Sequence, residues 1–253
     1  MSCLNRDGVN IYYEDHGKGD VTMILSHGYS ATSGMWKEQV DALKDRYRMI
    51  VWDMRGHGQS DSPGDPARYS EGHTIDDMAA ILDECGVGEA IIGGLSLGGY
   101  MSLAFNLKYT SRVSALMLFD TGPGYKKDSA REGWNLMAGE RALALEREGL
   151  SALGTGQEVK IANHSSAQGL AHAARGMLSL VDDRVIQSLP DISVPTLVLV
   201  GEDDEAFIAP TDYMAFKIPG ATRVTIKGAG HASNIDQPQA FNDAVRQFVG
   251  QIG

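Results

Sequence analysis

The stretch "AIIGGLSLGGYMSLAF", residues 90–105, sets Ser96 between two pairs of glycines. Ala90, Ile91 and Ile92 read as a buried strand, and Leu97, Met101, Ala104 and Phe105 fall on one helical face. A serine hydroxyl is a poor nucleophile until a base takes its proton. A sharp turn from strand to helix is one place where a chain presents such a serine. Two readings of the glycines therefore compete: they relieve crowding at a tight turn, or they let Ser96 stand strained and exposed for covalent chemistry. The pattern G-x-S-x-G, formed by Gly94, Ser96 and Gly98, does not decide between them, because a chain with 30 glycines can meet it by accident. Three other places carry groups that could serve this serine. Asp204 follows the buried run "TLVLVGED", His231 lies in "GAGHASNIDQP" after a strand-like stretch at 222–227, and His27-Gly28-Tyr29 follow "MILS".

These groups need a scaffold that brings four distant segments to one place. Strand-like and helix-like segments alternate along the chain. "VNIYYED" (9–15) alternates in character and reads as an exposed-edge strand, while "VTMILSHG" (21–28) and "YRMIVWD" (47–53) are buried-type runs. Between them Trp36, Val40 and Leu43 mark a helix face. Thr74 is a candidate cap for the helix carrying Ile75, Met78, Ala79 and Leu82. "VSALMLFD" (113–120) and "PTLVLVG" (195–201) are two further buried strands, and Phe241, Ala244, Val245 and Phe248 share one face of a final helix. This alternation predicts an α/β fold, a mostly parallel sheet covered by helices on both faces. Ligands of such sheets bind beyond the carboxyl ends of the strands, where Ser96, Asp204, His231 and the 27–29 loop all fall.

Residues 121–190 break the alternation. They hold no convincing strand, "NLMAGERALALEREGL" and "SAQGLAHAARGMLSLV" read as helices, and eight basic residues balance eight acidic ones. The predicted organisation is a core of residues 1–120 and 191–253 with a helical lid inserted at 121–190. Trp134, Met137 and Met177 are the lid's candidates for contact with substrate, since its apolar composition suits a moderately apolar pocket.

The composition narrows the partners. With 253 residues, 43 % hydrophobic and 22 % charged, the chain can bury a sizeable core. A net charge of −11 without a basic cluster disfavours nucleic acid and anionic membrane surfaces as partners. No apolar run reaches the length of a membrane helix, and the start "MSCLNRDGVN" carries no apolar signal core. Cys3 and Cys85 offer neither a disulfide framework nor a zinc pattern, so a reduced cytoplasmic setting is expected. "GGLSLGG" lacks the Lys-Ser/Thr ending of a phosphate loop, and the histidines lack zinc-like spacing. No cofactor and no metal are expected.

Taken in order, "SHGYS", "DMRGHGQSD", "GLSLGGYMS", "LVGEDDEAFIAP" and "GAGHASNIDQP" resemble the motifs of the α/β-hydrolase superfamily, and the resemblance spans essentially the whole chain. It implies Ser96 as nucleophile, His231 as the base that takes its proton and later protonates the leaving group, and an acid that orients the imidazole. The family's spacing from Gly201 picks Asp204 as that acid; Asp203 and Asp120 stay open as alternatives. By the same resemblance the backbone N–H groups of Tyr29 and Leu97 form the oxyanion hole, while His27, Asp53, Arg55 and His57 brace loops. A serine nucleophile implies hydrolysis of a small carboxylic ester or lactone through an acyl-enzyme. The alternatives are a C–C bond hydrolase of ring-cleavage products and a receptor that binds without turnover. Nothing in the sequence fixes an oligomeric state.

Overall fold

Which face of the sheet a side chain joins follows from the period-two alternation of its strand. The computed structural model describes residues 2–252, in which β1 (Ser2–Arg6), β2 (Val9–His16), β3 (Thr22–Ser26), β4 (Arg48–Trp52), β5 (Ala90–Leu95), β6 (Val113–Phe119), β7 (Thr196–Gly201) and β8 (Thr222–Ile226) form one sheet. Their order is β1-β2-β4-β3-β5-β6-β7-β8, antiparallel where β2 meets β1 and β4 and parallel elsewhere. Register carries the alternation across strands: Ile50, Ile24, Ile92 and Leu116 stand opposite one another in four neighbouring strands and share one core. Met49, Met23, Ile91 and Ala115, one residue earlier, share the core on the other face.

Ten α-helices among the described residues flank or follow the strands: α1 (Lys37–Leu43), α2 (Glu71–Glu84), α3 (Leu97–Lys108), α4 (Asp128–Glu148), α5 (Gln157–Lys160), α6 (Ala167–Ala173), α7 (Arg184–Gln187), α8 (Glu205–Lys217), α9 (Ser233–Asp236) and α10 (Pro238–Ile252). Ile75, Met78 and Leu82 of α2 and Met101 and Phe105 of α3 cover one face. Val40 and Leu43 of α1 and Phe241, Val245 and Phe248 of α10 cover the other. The sheet is thus wrapped on both sides, which is why its central parallel strands read as continuous apolar runs.

Two sequence expectations are corrected. β2 is not an edge strand, because β1 pairs with it from Ser2↔Tyr13 to Arg6↔Val9 and takes the edge itself. "SCLNR" has a single large apolar residue and shows no alternation, so its strand character comes from backbone pairing. Nor does Thr74 cap α2. Ser70, in extended conformation, accepts the His73 N–H at 3.0 Å, and Thr74 instead donates its hydroxyl to Ser70 O from inside the helix.

Between β6 and β7, which are neighbours in the sheet, the chain is helical, with no strand among the described residues. α4 begins at Asp128, about two turns earlier than the apolar spacing suggests, and α6 runs on into one widened turn at Ala174–Leu178.

Candidate active site

Ser96 is the single residue between β5 and α3, with φ 54° and ψ −115°. A non-glycine residue in this left-handed region carries about 1–2 kcal/mol of strain, held here by its surroundings. The Ser96 N–H donates to Phe119 O at 2.9 Å, and Thr121 Oγ1 donates to Ser96 O at 2.6 Å. Both backbone groups of the serine are tied, and its side chain faces a cavity. The glycines are required by contact as well. A Cβ on Gly94 would lie 2.5 Å from the Gly98 backbone, one on Gly98 2.2 Å from Ser26 O, and one on Gly99 2.5 Å from the Thr121 side chain. The two readings of the glycine pairs are therefore not rivals: close packing of α3 on β3 and β5 and the strained serine belong to one turn.

Asp204 sits in the turn between β7 and α8, its side chain buried, and His231 lies between β8 and α9. The imidazole Nδ1–H donates to Asp204 Oδ2 at 2.8 Å. Phe207 stacks on the same ring, with centroids 5.0 Å apart. The other two carboxylates do different things. Asp203 is exposed. Asp120 is fully buried and accepts from Gly201 N–H at 2.7 Å and from the Ser233 hydroxyl. Only Asp204 of the three is hydrogen-bonded to His231. Burial opposes a charge on His231, but the hydrogen bond and charge of Asp204, helped by Asp120, outweigh it and hold the imidazole above its ordinary range. Burial pushes the Asp120 carboxyl up to about 7, against the pull of Ser233, Gly201 and His231. Among the described residues no hydrogen bond joins Ser96 Oγ to His231. What links them is Phe207, stacked on the imidazole and lining the same cavity as Ser96.

The loop after β3 passes beside the serine: a Cβ on Gly28 would lie 3.4 Å from Ser96 Cβ. Ala31 N–H closes a turn onto Gly28 O at 3.1 Å, with Ser30 at φ 60°. The Tyr29 N–H makes no backbone hydrogen bond among the described residues, and Leu97, as the first residue of α3, has no acceptor for its N–H within the helix. His27 braces the loop, donating Nδ1–H to Gly28 O at 2.7 Å and accepting Met54 N–H at 2.9 Å. A second brace, absent from the sequence reading, comes from the helical segment. His164 donates Nε2–H to Ser30 O at 2.9 Å and accepts Gly58 N–H at 3.1 Å, and the Tyr29 hydroxyl donates to Leu170 O. Burial lowers the proton affinity of His27, His57 and His164, and His27 and His164 each accept an N–H on one ring nitrogen, as only a neutral imidazole can. Arg55 pairs with Asp77 in the interior, and Asp53 accepts from Ser33 and Gln59 N–H.

The cavity has a volume of about 280 Å³. Ser96, Leu97 and Tyr100 line it from the core, Phe207 and Pro210 from α8, and Trp134, Met137 and Arg141 from α4. Met177, expected in this wall, is instead buried in the core, while the next residue in the chain, Leu178, lines the cavity. The widened turn at 174–178 shifts the helical phase there, so the spacing misleads about which side chain faces inward. Phe207 and Arg141 were not singled out from sequence. Arg141 follows Trp134 and Met137 at helical spacing, which is a legible signal once α4 is known to form a wall. Among the described residues no three His, Cys, Asp or Glu side chains cluster as metal ligands, and no helix is long and apolar enough to cross a membrane.

A strained serine at the strand-to-helix turn, with a His–Asp pair on loops at the same sheet edge, defines a hydrolase architecture. The sequence pattern of the alpha/beta hydrolase fold family matches residues 21–147, and the chain belongs to that family. It is 28 % identical to a protein of Acinetobacter baylyi named 3-oxoadipate enol-lactonase 1, across 100 % of this chain and 97 % of the other. A thermophilic esterase from Thermogutta terrifontis, solved with malate bound, has a TM-score of 0.84 and 30 % identity, covering 100 % of this chain and 99 % of its own. An enol-lactonase from Burkholderia xenovorans has a TM-score of 0.79 at 26 % identity, covering 98 % and 100 %.

Proposed function

We propose that this protein is a serine hydrolase that cleaves a small carboxylic ester or lactone through an acyl-enzyme on Ser96. The observation that carries this reading is the His231–Asp204 hydrogen bond at the sheet edge where left-handed Ser96 faces the cavity. His231 takes the hydroxyl proton as Ser96 Oγ bonds to the carbonyl carbon, and Asp204 holds the imidazole in the tautomer that can do so. The carbonyl oxygen gains the negative charge and accepts from the N–H groups of Tyr29 and Leu97. Collapse of the tetrahedral adduct breaks the C–O bond, and the leaving alkoxide takes the proton from His231. Water then repeats the sequence on the acyl-enzyme, releasing the acid. The enzyme needs no metal or cofactor for these steps.

In this reading residues 121–190 are the lid, and the α4 wall with Trp134 and Met137 limits the acyl group to a short one, in keeping with about 280 Å³ of space. The free thiols of Cys3 and Cys85 suit a reducing, cytoplasmic setting. Graded p-nitrophenyl esters and small lactones test the proposal. We expect multiple turnovers on short acyl chains, an acyl adduct on the Ser96 peptide by mass spectrometry, and a loss of several powers of ten in Ser96→Ala. A Ser96→Ala variant with near-normal kcat would remove the nucleophile, and binding with a single release event would make the protein a receptor.

A further inference from the structure

Three side chains of α4 face the cavity, Trp134, Met137 and Arg141. Over about 10 Å of helix the wall passes from apolar to cationic. Arg141 is the only charged side chain lining the cavity among the described residues. It is exposed, so solvent reaches it, and among the described residues it has no carboxylate within ion-pair distance. That is unusual in its own neighbourhood. The other four arginines of residues 121–190 are all paired: Arg131 with Asp128, Arg147 with Glu148, Arg175 with Glu146 and Arg184 with Asp182. Acidic partners are plentiful, with eight in the segment and a net charge of −11 overall. A guanidinium left free on an otherwise uncharged wall, in a protein this acidic, has the forked geometry that suits a planar anion. The charge also reaches the loop beside Ser96. Burial raises the proton affinity of the Tyr29 phenol, and Arg141 and Arg175 act against it.

We propose that Arg141 receives a carboxylate carried by the substrate, so that the preferred class is a short ester or lactone bearing a free carboxylate. The inference rests on the proposed hydrolysis at Ser96. Apolar carbons of the substrate then lie along Trp134 and Met137, and the carboxylate forms a forked pair with the guanidinium. No acidic side chain lines the cavity to repel it.

Mono-p-nitrophenyl glutarate, which carries a carboxylate, and p-nitrophenyl pentanoate, its neutral counterpart of similar length, make the test. The readout is the ratio of their kcat/KM values in wild type, Arg141→Lys, Arg141→Gln and Arg141→Ala, with thermal melting in parallel. The wild type should favour the anionic ester by at least about tenfold, and Arg141→Ala should lower the ratio by about ten- to a hundredfold, the scale of a lost charged hydrogen bond. Arg141→Lys should recover part of the loss, and added glutarate should inhibit the wild type more strongly than Arg141→Gln. A wild-type preference for the neutral ester, or a ratio unmoved in a folded Arg141→Ala, overturns the carboxylate receptor and leaves the Ser96 reading in place. Failure of wild type to turn over either ester takes down both.

Discussion

Asp204 and His231 share a hydrogen bond of 2.8 Å, and a second buried carboxylate, Asp120, lies close enough to favour the imidazolium without touching it. The division of labour is specific. Asp204 orients the ring, whereas Asp120 ties the end of β7 to α9 through Gly201 and Ser233.

Asp204→Asn should keep the shape of the turn but offer an amide to His231, favouring the wrong tautomer, and lower kcat by about ten-thousandfold. Asp203→Asn should cost little, its side chain being exposed, and Asp120→Asn much less than Asp204→Asn. Steady-state kinetics with melting curves separates these cases. A large loss in Asp120→Asn beside an active Asp204→Asn would move the acid to β6.

The elevated proton affinity of His231 has a kinetic signature. In the proposed mechanism His231 acts as a base only when neutral, so kcat/KM should fall as pH drops through an apparent pKa above the ordinary value of about 6.5. Removing the carboxylate in Asp204→Ala should move that limb to lower pH in whatever activity is left. A wild-type midpoint below about pH 6.5 would contradict the electrostatic picture.

Asp120 makes a prediction about stability. Its folded pKa of about 7 lies above an unfolded value near 3.9, so the native state holds a proton that the unfolded chain has lost. Stability from this group is full below about pH 4 and is lost as pH rises towards 7. Asp120→Asn abolishes the titration, so its Tm relative to wild type should climb between pH 5 and 8. A constant difference across that range would show Asp120 to be ionised throughout.

His164 is a positioning residue for the loop next to Ser96. His164→Ala should lower kcat by about tenfold or more with a smaller change in KM if Tyr29 N–H is an oxyanion donor, as proposed, because its misplacement would be felt in the transition state. His164→Gln can return a donor to Ser30 O and should recover activity, whereas His164→Asn can return an acceptor only to Gly58 N–H. Equal losses in all three variants would show that packing, not the bond to Ser30, is what matters.

Much of this was legible in the sequence because buried parallel strands announce themselves. "TMILS", "RMIVW" and "TLVLVG" are apolar strands buried between helices, and the loops after the first and last of them hold Tyr29 and Asp204, two of the residues given roles in the proposed mechanism. β1 was not legible, since "SCLNR" gains its strand from the backbone of β2. The choice of Asp204 over Asp120 was open on paper because it depends on partners 27 and 113 residues away in the chain. Met177 was misplaced by one residue of helical phase at a widened turn, a local irregularity with no composition signal. Phe207 and Arg141 gain their meaning from which wall they face, and that is a property of the assembled cavity.

The helical segment leaves the sheet from β6 and returns into β7, two strands that pair directly from Leu116↔Thr196 to Phe119↔Leu199. Its two ends therefore open and close at one seam, and the hydrogen-bond ladder is indifferent to what lies between. Lengthening such an excursion costs little closure entropy, since the penalty grows only with the logarithm of length. If the segment is the lid, as proposed, it is exchangeable as a cassette, with selectivity inherited separately from Ser96, His231 and Asp204. Compatibility would be decided at a few polar couplings, His164 to Ser30 and Gly58 and Tyr29 to Leu170, which a graft must reproduce for the recipient's loop to stay in register.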